Sequence, residues 1–284
     1  MNLLAMLLAL ILERLFSPHR DAAAQRRVWP LLHRALPLPG FWNSAAMPML
    51  VVFVLAAAAG LAFYELHSEP LRLLFGAAVL FLCLGPRDLA DDVQRLRRAR
   101  ATGEAETVAH LTRALQMGPE PDADQRSLLG ALFIQSHERL FGTLWWYLAA
   151  GPAGAVAYRL ASRLPWLIED HATPAARVAA LLHGWLAWIP ARLTAVLFAL
   201  AGSLDDALAA WRGLRETPHP DWQRQTWNVL AATASAALDW EDGGGPIVAS
   251  SLDAALAEVL RMQLRALLVL LALAALFTAG LWVA

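Results

Sequence analysis

The sequence contains no lysine: its 23 basic residues are all arginine, set against 24 acidic ones, and the formal net charge is −1. With no global basic field, a nucleic-acid binder is excluded. Alanine is abundant, so the missing lysine reads as codon bias in a GC-rich genome rather than as chemistry. Cysteine is nearly absent too. The single Cys83 lies in the apolar run LLFGAAVLFLCLG and reads as a small packed residue; a disulfide framework or a thiolate metal site within one chain is excluded. No HExxH, Walker A, GxSxG or GxGxxG pattern occurs in a supporting context. A cleavable leader is not expected either. MNLLAMLLALILERLF has no basic residue ahead of its apolar core and no small-x-small site after it, so it reads as a retained first membrane helix. No internal repeat is visible, which weighs against a transporter.

What the chain does have is apolar side chains. They make up 58% of its 284 residues, with a mean hydropathy of +0.45, too high for an ordinary soluble domain. The expected fold is an all-α, polytopic helical membrane protein with about four to five apolar segments, two of them broken or re-entrant. A cytoplasmic helical lobe over about 86–141 completes a single integrated domain spanning 1–284. The bilayer is the one partner that composition implies; the oligomeric state stays open.

Taken in order, residues 3–16 reach only about 20–25 Å as a helix and make a marginal span. Residues 17–44 carry Arg20, Arg26, Arg27 and Arg34 with Trp29, Phe41 and Trp42, a basic, membrane-hugging and cytoplasmic pattern. A helix around 21–34 is expected near the headgroups. Residues 46–66 are the clearest span, and 71–85 return after the external loop HSEP. Gly60 and Gly76 are expected to let these two helices approach each other closely. After Pro86 the composition changes, and 87–101 and 104–117 read as charged helices. Asp122 or Asp124 is a plausible N-cap for the helix that follows. Ser203 is a candidate N-cap for SLDDALAAWRGL, with Asp205 and Asp206 in its first turn. Residues 221–240 form another amphipathic helix, and the last ~20 residues a clean span.

The organising stretch is 130–163, GALFIQSHERLFGTLWWYLAAGPAGAVAYRLASR. It opens as an amphipathic helix and becomes an apolar run that Gly151, Pro152 and Gly154 interrupt. Lipid cannot satisfy the backbone groups freed by such a break, so it must be buried in protein or line a polar cavity. Residues 177–202 form a second apolar run, with Pro190 and Arg192 inside it. An arginine at that depth costs several kcal/mol in lipid, so Arg192 should face a cavity, a carboxylate or free carbonyls. Together the two runs predict a pair of broken helices lining one site.

The candidate ligand-binding residues are therefore Gly151, Gly154, Tyr158, Arg159, Arg163 and Arg192, joined by His137; Arg177 lies nearby. Guanidinium forks suit phosphate or carboxylate. They equally suit pairing with Glu138, Glu169, Asp170 or lipid phosphates. Asp88, Asp91 and Asp92 share a helical turn and could hold Mg²⁺, or simply form a solvated face or complement the helix N-terminus. No other cofactor is expected. His137 and Glu138 point about 100° apart on a helix and do not easily serve one ion.

The run LWWYLAAGPAGAVAYRLASRL followed by WIPARLTAVLFALAG resembles the AmpE/CobD family of inner-membrane proteins over almost the whole chain. The Arg87-Asp88-Leu89 helix, the Ala-Thr-Gly-Glu step after it and the opening LLALILERLF resemble the AmpE branch. The cobalamin branch, CobD or CbiB, joins an aminopropanol unit to cobyric acid by an amide bond, and its pattern ahead of the apolar run is roughly Glu-Ser-x-Ala-Glu-Asn. Here that stretch is Phe133-Ile134-Gln135-Ser136-His137-Glu138-Arg139, and the later Gly-rich segment keeps only Asn228 and a few glycines. Catalysis by Glu138 is thus the alternative, and the resemblance favours the AmpE branch. It implies a membrane sensor or transducer linked to β-lactamase induction and cell-wall recycling. The implied partners are a cytosolic AmpD-type amidase or a small cell-wall-derived ligand.

Overall fold

The computed structural model describes residues 2–16, 39–84, 89–116, 127–168, 170–216, 219–238 and 249–283. The expected headgroup helix at 21–34, Asp88, Asp122, Asp124 and Glu169 lie outside the described residues. Every regular element among those described is helical, as the hydrophobic periodicity requires. Three helices are long and apolar enough to cross a membrane: Ala46–Glu65, Pro174–Ala201 and, within the last helix, Leu252–Thr278. They expose large apolar side chains such as Phe53, Trp185 and Phe277, as lipid contact requires. This is an all-α membrane protein. Its described chain divides into two compact units, Met1–Arg87 with Gly142–Pro190, and Asp88–Phe141 with Ala191–Ala284.

The first unit holds α1 (Asn2–Phe16), the short α2 (Pro39–Trp42), α3 (Ala46–Glu65), α4 (Glu69–Cys83), α8 (Gly142–Leu167) and the first part of α9 (Pro174–Ala201). At 15 residues each, α1 and α4 extend only about 22 Å, short of a ~30 Å hydrocarbon core. Both pack on α8, as α3 does. Gly60 and Gly76 do give close approach, but to α8 rather than to each other. A Cβ on Gly60 would lie 3.2 Å from that of Ala153, and one on Gly76 would lie 2.5 Å from the Tyr147 hydroxyl. The expected α3–α4 hairpin thus has α8 as its common partner. Helix α8 offers the small Ala153 to one glycine and a buried tyrosine to the other. The α3–α4 turn is tied locally. Arg72 Nε donates to Leu66 O at 2.6 Å, a cation placed on the carbonyl end of α3, where the helix dipole favours it. Ser68 caps α4 by accepting from Leu71 N at 3.4 Å. Trp42, Met47 and Val52 pack with Ala161 and Leu164 of α8, Ile168 just past its end, and Ala175, Ala176 and Ala179 of α9 into one apolar cluster.

The second unit holds α5 (Leu89–Thr102), α6 (Ala105–Gln116), α7 (Leu128–Ser136), the rest of α9, α10 (Leu204–Glu216), α11 (Trp222–Ala236) and α12 (Ala249–Val283). Helix α7 is its centre, buried from Gly130 to Ile134 and packed against α5, α6, α11 and α12. Phe133 and Phe141 both meet Phe198 of α9 edge-on, at 4.8 and 5.4 Å between ring centroids. Ser127, not Asp122 or Asp124, caps α7: its Oγ accepts from Gly130 N at 3.1 Å. A hydroxyl directly before the first helical residue reaches the orphan amides, whereas the two aspartates stand three or more residues too early. Ser203 directly precedes α10, as expected, and its Oγ donates to Asp206 Oδ2 at 2.5 Å.

Candidate functional site

In the first unit the expected break is present. Ala150 (φ −135°, ψ 17°) and Gly151 (φ +61°, ψ −148°) leave helical geometry inside α8. The Gly151 conformation belongs to a region that only glycine enters without strain. Pro152 follows and cannot donate a backbone hydrogen bond. The kink packs the chain onto itself: a Cβ on Gly154 would stand 2.2 Å from the Trp146 carbonyl oxygen. Past the kink, Tyr158 is buried with its ring over Gly142, where a Cβ would come within 2.4 Å of it. Its ring also meets His183 of α9 edge-on at 6.0 Å. Arg159 is buried beside it, its carbonyl accepting from Ser162 Oγ at 3.0 Å, and Arg163 is half-buried one turn on.

The second apolar run takes the milder form of a break. Helix α9 continues for 28 residues with Pro190 inside it. Proline has no N–H for the carbonyl four residues earlier, which here is Leu186. That carbonyl accepts from Trp146 Nε1 at 2.9 Å. The indole supplies the missing donor, so the helix passes its proline without coming apart. Trp146 therefore serves both interrupted helices, its carbonyl against Gly154 and its indole on Leu186. Trp146→Phe keeps an aromatic side chain and removes the pyrrole N–H donor. It is expected to cost about 1–3 kcal/mol, seen as a lower unfolding midpoint in detergent.

In the second unit, His137 to Phe141 form a single π-helical turn between α7 and α8. Such turns insert one residue and often sit at functional sites. His137 opens it and is buried. His137 Nδ1 and Thr194 Oγ1 share a hydrogen bond of 2.9 Å, its direction set by the imidazole tautomer. The imidazole lies 5.9 Å from the Trp227 ring of α11. Next to these stands a second pair: Arg192 Nη1 donates a long bond to Thr226 Oγ1 at 3.5 Å. Thr226 is chain neighbour to Trp227, and Arg192 stands two residues before Thr194. Thr233, two turns beyond Thr226 on the same face of α11, has a buried Oγ1 with no hydrogen-bond partner among the described residues. Imidazole, guanidinium, the Thr194 and Thr226 hydroxyls and an indole thus gather where the π turn meets α9 and α11. That donor-rich set suits a carboxylate- or phosphate-bearing ligand.

Arg139 fastens the π turn from outside. Its Nη1 donates to Asp92 Oδ2 of α5 at 2.7 Å, and its Nε to Gln135 Oε1 at 3.2 Å. Asp92→Asn weakens this mostly buried ion pair, and the expected loss of stability is about 1–3 kcal/mol by chemical denaturation in detergent. Glu138, the candidate acid, is half-buried on the same turn. Of the aspartate trio, Asp91 and Asp92 open α5, and no group of three metal-ligating side chains occurs among the described residues. The residues that sequence reasoning passed over are Thr194, Thr226, Trp227 and Thr233. Thr226 and Thr233 at i, i+7 on one helix face were the available signal.

The chain matches the family model described as "Regulatory signalling modulator protein AmpE" over residues 1–281. It is similar to a cobalamin biosynthesis protein CobD of Chromobacterium violaceum, with 27% identity over 78% of this chain and 72% of that one. It is also similar to a cobalamin biosynthesis protein CobD of Stutzerimonas stutzeri, with 28% identity over 62% of this chain and 59% of that one. No solved structure matches it.

Proposed function

The chain belongs to the AmpE family of regulatory signalling modulators, and from that premise we propose that it is an inner-membrane regulator coupling cell-wall recycling to β-lactamase induction. Family membership over nearly the full length carries this reading. The polar cluster around the π turn supports it, because a sensor needs a desolvated, donor-rich place to recognise an anionic cell-wall fragment. Arg192 holds the anionic group, His137 and Thr194 orient it, and α5 to α7 present the cytosolic face to an AmpD-type amidase. The test is deletion of the gene. β-Lactamase induction should fall and muropeptide pools should shift; unchanged induction with unchanged pools contradicts the proposal.

The similarity to CobD proteins favours one second reading, a membrane-bound amide-forming enzyme of cobalamin biosynthesis. The same Arg192 would bind an anionic substrate and Glu138 would serve as acid or base. Rescue of a cobalamin-synthesis mutant by this gene would establish it, and failure of a well-expressed copy would remove it.

A further inference from the structure

We infer that α10 is an interfacial helix whose outer edge docks onto anionic lipid headgroups where the α9 span leaves the bilayer. Helix α9 ends at Ala201 and α10 begins at Leu204, so only Gly202 and Ser203 separate a candidate span from α10. The turn between them is clamped. Ser203 N donates to Ala237 O at 2.9 Å, and a Cβ on Gly202 would stand 2.0 Å from that same oxygen. This ties the start of α10 to the end of α11 and fixes the direction in which α10 leaves.

At ~100° per residue, Leu204, Leu208, Trp211 and Arg215 fall along one edge of α10, with Arg212 beside them. Leu204 and Leu208 are 45% and 40% exposed, far from the burial expected of leucine in a soluble fold. Trp211 is half-buried, and both arginines are exposed. Asp206 faces away from this edge and Asp205 and Glu216 lie beside Arg212, so Arg215 is the cation on the apolar edge itself. The preceding turns of α9 expose Leu193, Val196 and Leu200 as well. Two leucines, one indole and two guanidinium groups are too few for a stable protein interface, which takes about 20–30 residues a side. They match a headgroup layer, with leucine and indole at the acyl boundary and arginine at the phosphates.

The test uses the full chain in nanodiscs, in a Cys83→Ala background, with nitroxide labels at Leu208→Cys, Gly213→Cys and Val196→Cys. Position 213 lies on the far side of α10, and a side chain there meets open space. In phosphatidylcholine discs containing phosphatidylglycerol, the oxygen-to-nickel accessibility ratio at 208 should exceed that at 213 by about tenfold and approach that at 196. A label at Leu204→Cys should repeat the result. Removing phosphatidylglycerol, or introducing Arg212→Gln with Arg215→Gln, should lower the ratio at 208 by about fivefold or more. If 208 reads like 213 while 196 reads lipid, the inference is wrong although the span is right. Spin–spin coupling between two copies at 208 would make the edge a contact between chains and overturn it. Insensitivity to phosphatidylglycerol and to the arginines would refute the anionic headgroup.

Discussion

Gly154→Ala is expected to destabilise the protein by about 1–3 kcal/mol, the cost of forcing an extra carbon into a packed site. A Cβ there would stand 2.2 Å from the Trp146 carbonyl oxygen, and a backbone atom cannot turn aside as a side chain can. Relief would require opening the kink at Ala150 and Gly151. That would move Trp146 and withdraw its indole from Leu186, the carbonyl left over by Pro190. The single methyl thus strains both interrupted helices. Gly213→Ala is the control, since nothing lies within 4 Å of a Cβ at that position. The comparison is thermal unfolding of the two purified variants in detergent. A marked drop for Gly154→Ala with little change for Gly213→Ala is the expected pattern; equal midpoints would show that the kink opens freely.

Arg192→Met is expected to leave stability nearly unchanged and to act strongly on function. A half-buried guanidinium in a candidate span carries a desolvation cost that an apolar side chain of similar length lacks, and this offsets the hydrogen bonds lost with it, so the folded state should stay about as stable. The same change removes the one cation that reaches Thr226 in the polar cluster among the contacts described. A charge-assisted hydrogen bond to an anionic ligand is worth about 1.5–3 kcal/mol, so the inducer concentration at half-maximal β-lactamase response should rise about ten- to a hundredfold. A stable protein with a blunted response separates a recognition role from a structural one, because a structural arginine would take stability down with it. Wild-type sensitivity in the variant would place the ligand elsewhere.

Much of the architecture was legible in the residues. Helical periodicity and charge patterning located α5, α6, α10 and α11 to within a few residues, and long apolar runs marked the spans. Gly151 with Pro152 announced the kink, since few other pairs remove both the conformational restraint and the backbone donor. Pro190 gave the same signal with a different outcome. Its freed carbonyl is answered by an indole 40 residues away in sequence, a match that only tertiary packing reveals. The preference of Gly60 and Gly76 for α8 over each other has the same origin, because a glycine announces a close approach without naming the partner. The π turn at His137 has no sequence signature; one extra residue in a helix is decided by what surrounds it. Arg192 stood out as a charge in an apolar run and His137 as a polar group on an amphipathic helix, whereas Thr194 and Thr226 are uncharged and read as ordinary helix residues. Their part emerges only when segments 57 and 34 residues apart meet.

The most direct test is complementation of a deletion strain with His137→Leu, whose replacement is apolar and suits the buried position, beside wild type and Gly213→Ala. With all three proteins at equal levels in the membrane, β-lactamase induction should return with wild type and Gly213→Ala and stay low with His137→Leu. Full induction with His137→Leu would contradict the claim that this membrane protein reads its signal at the π turn.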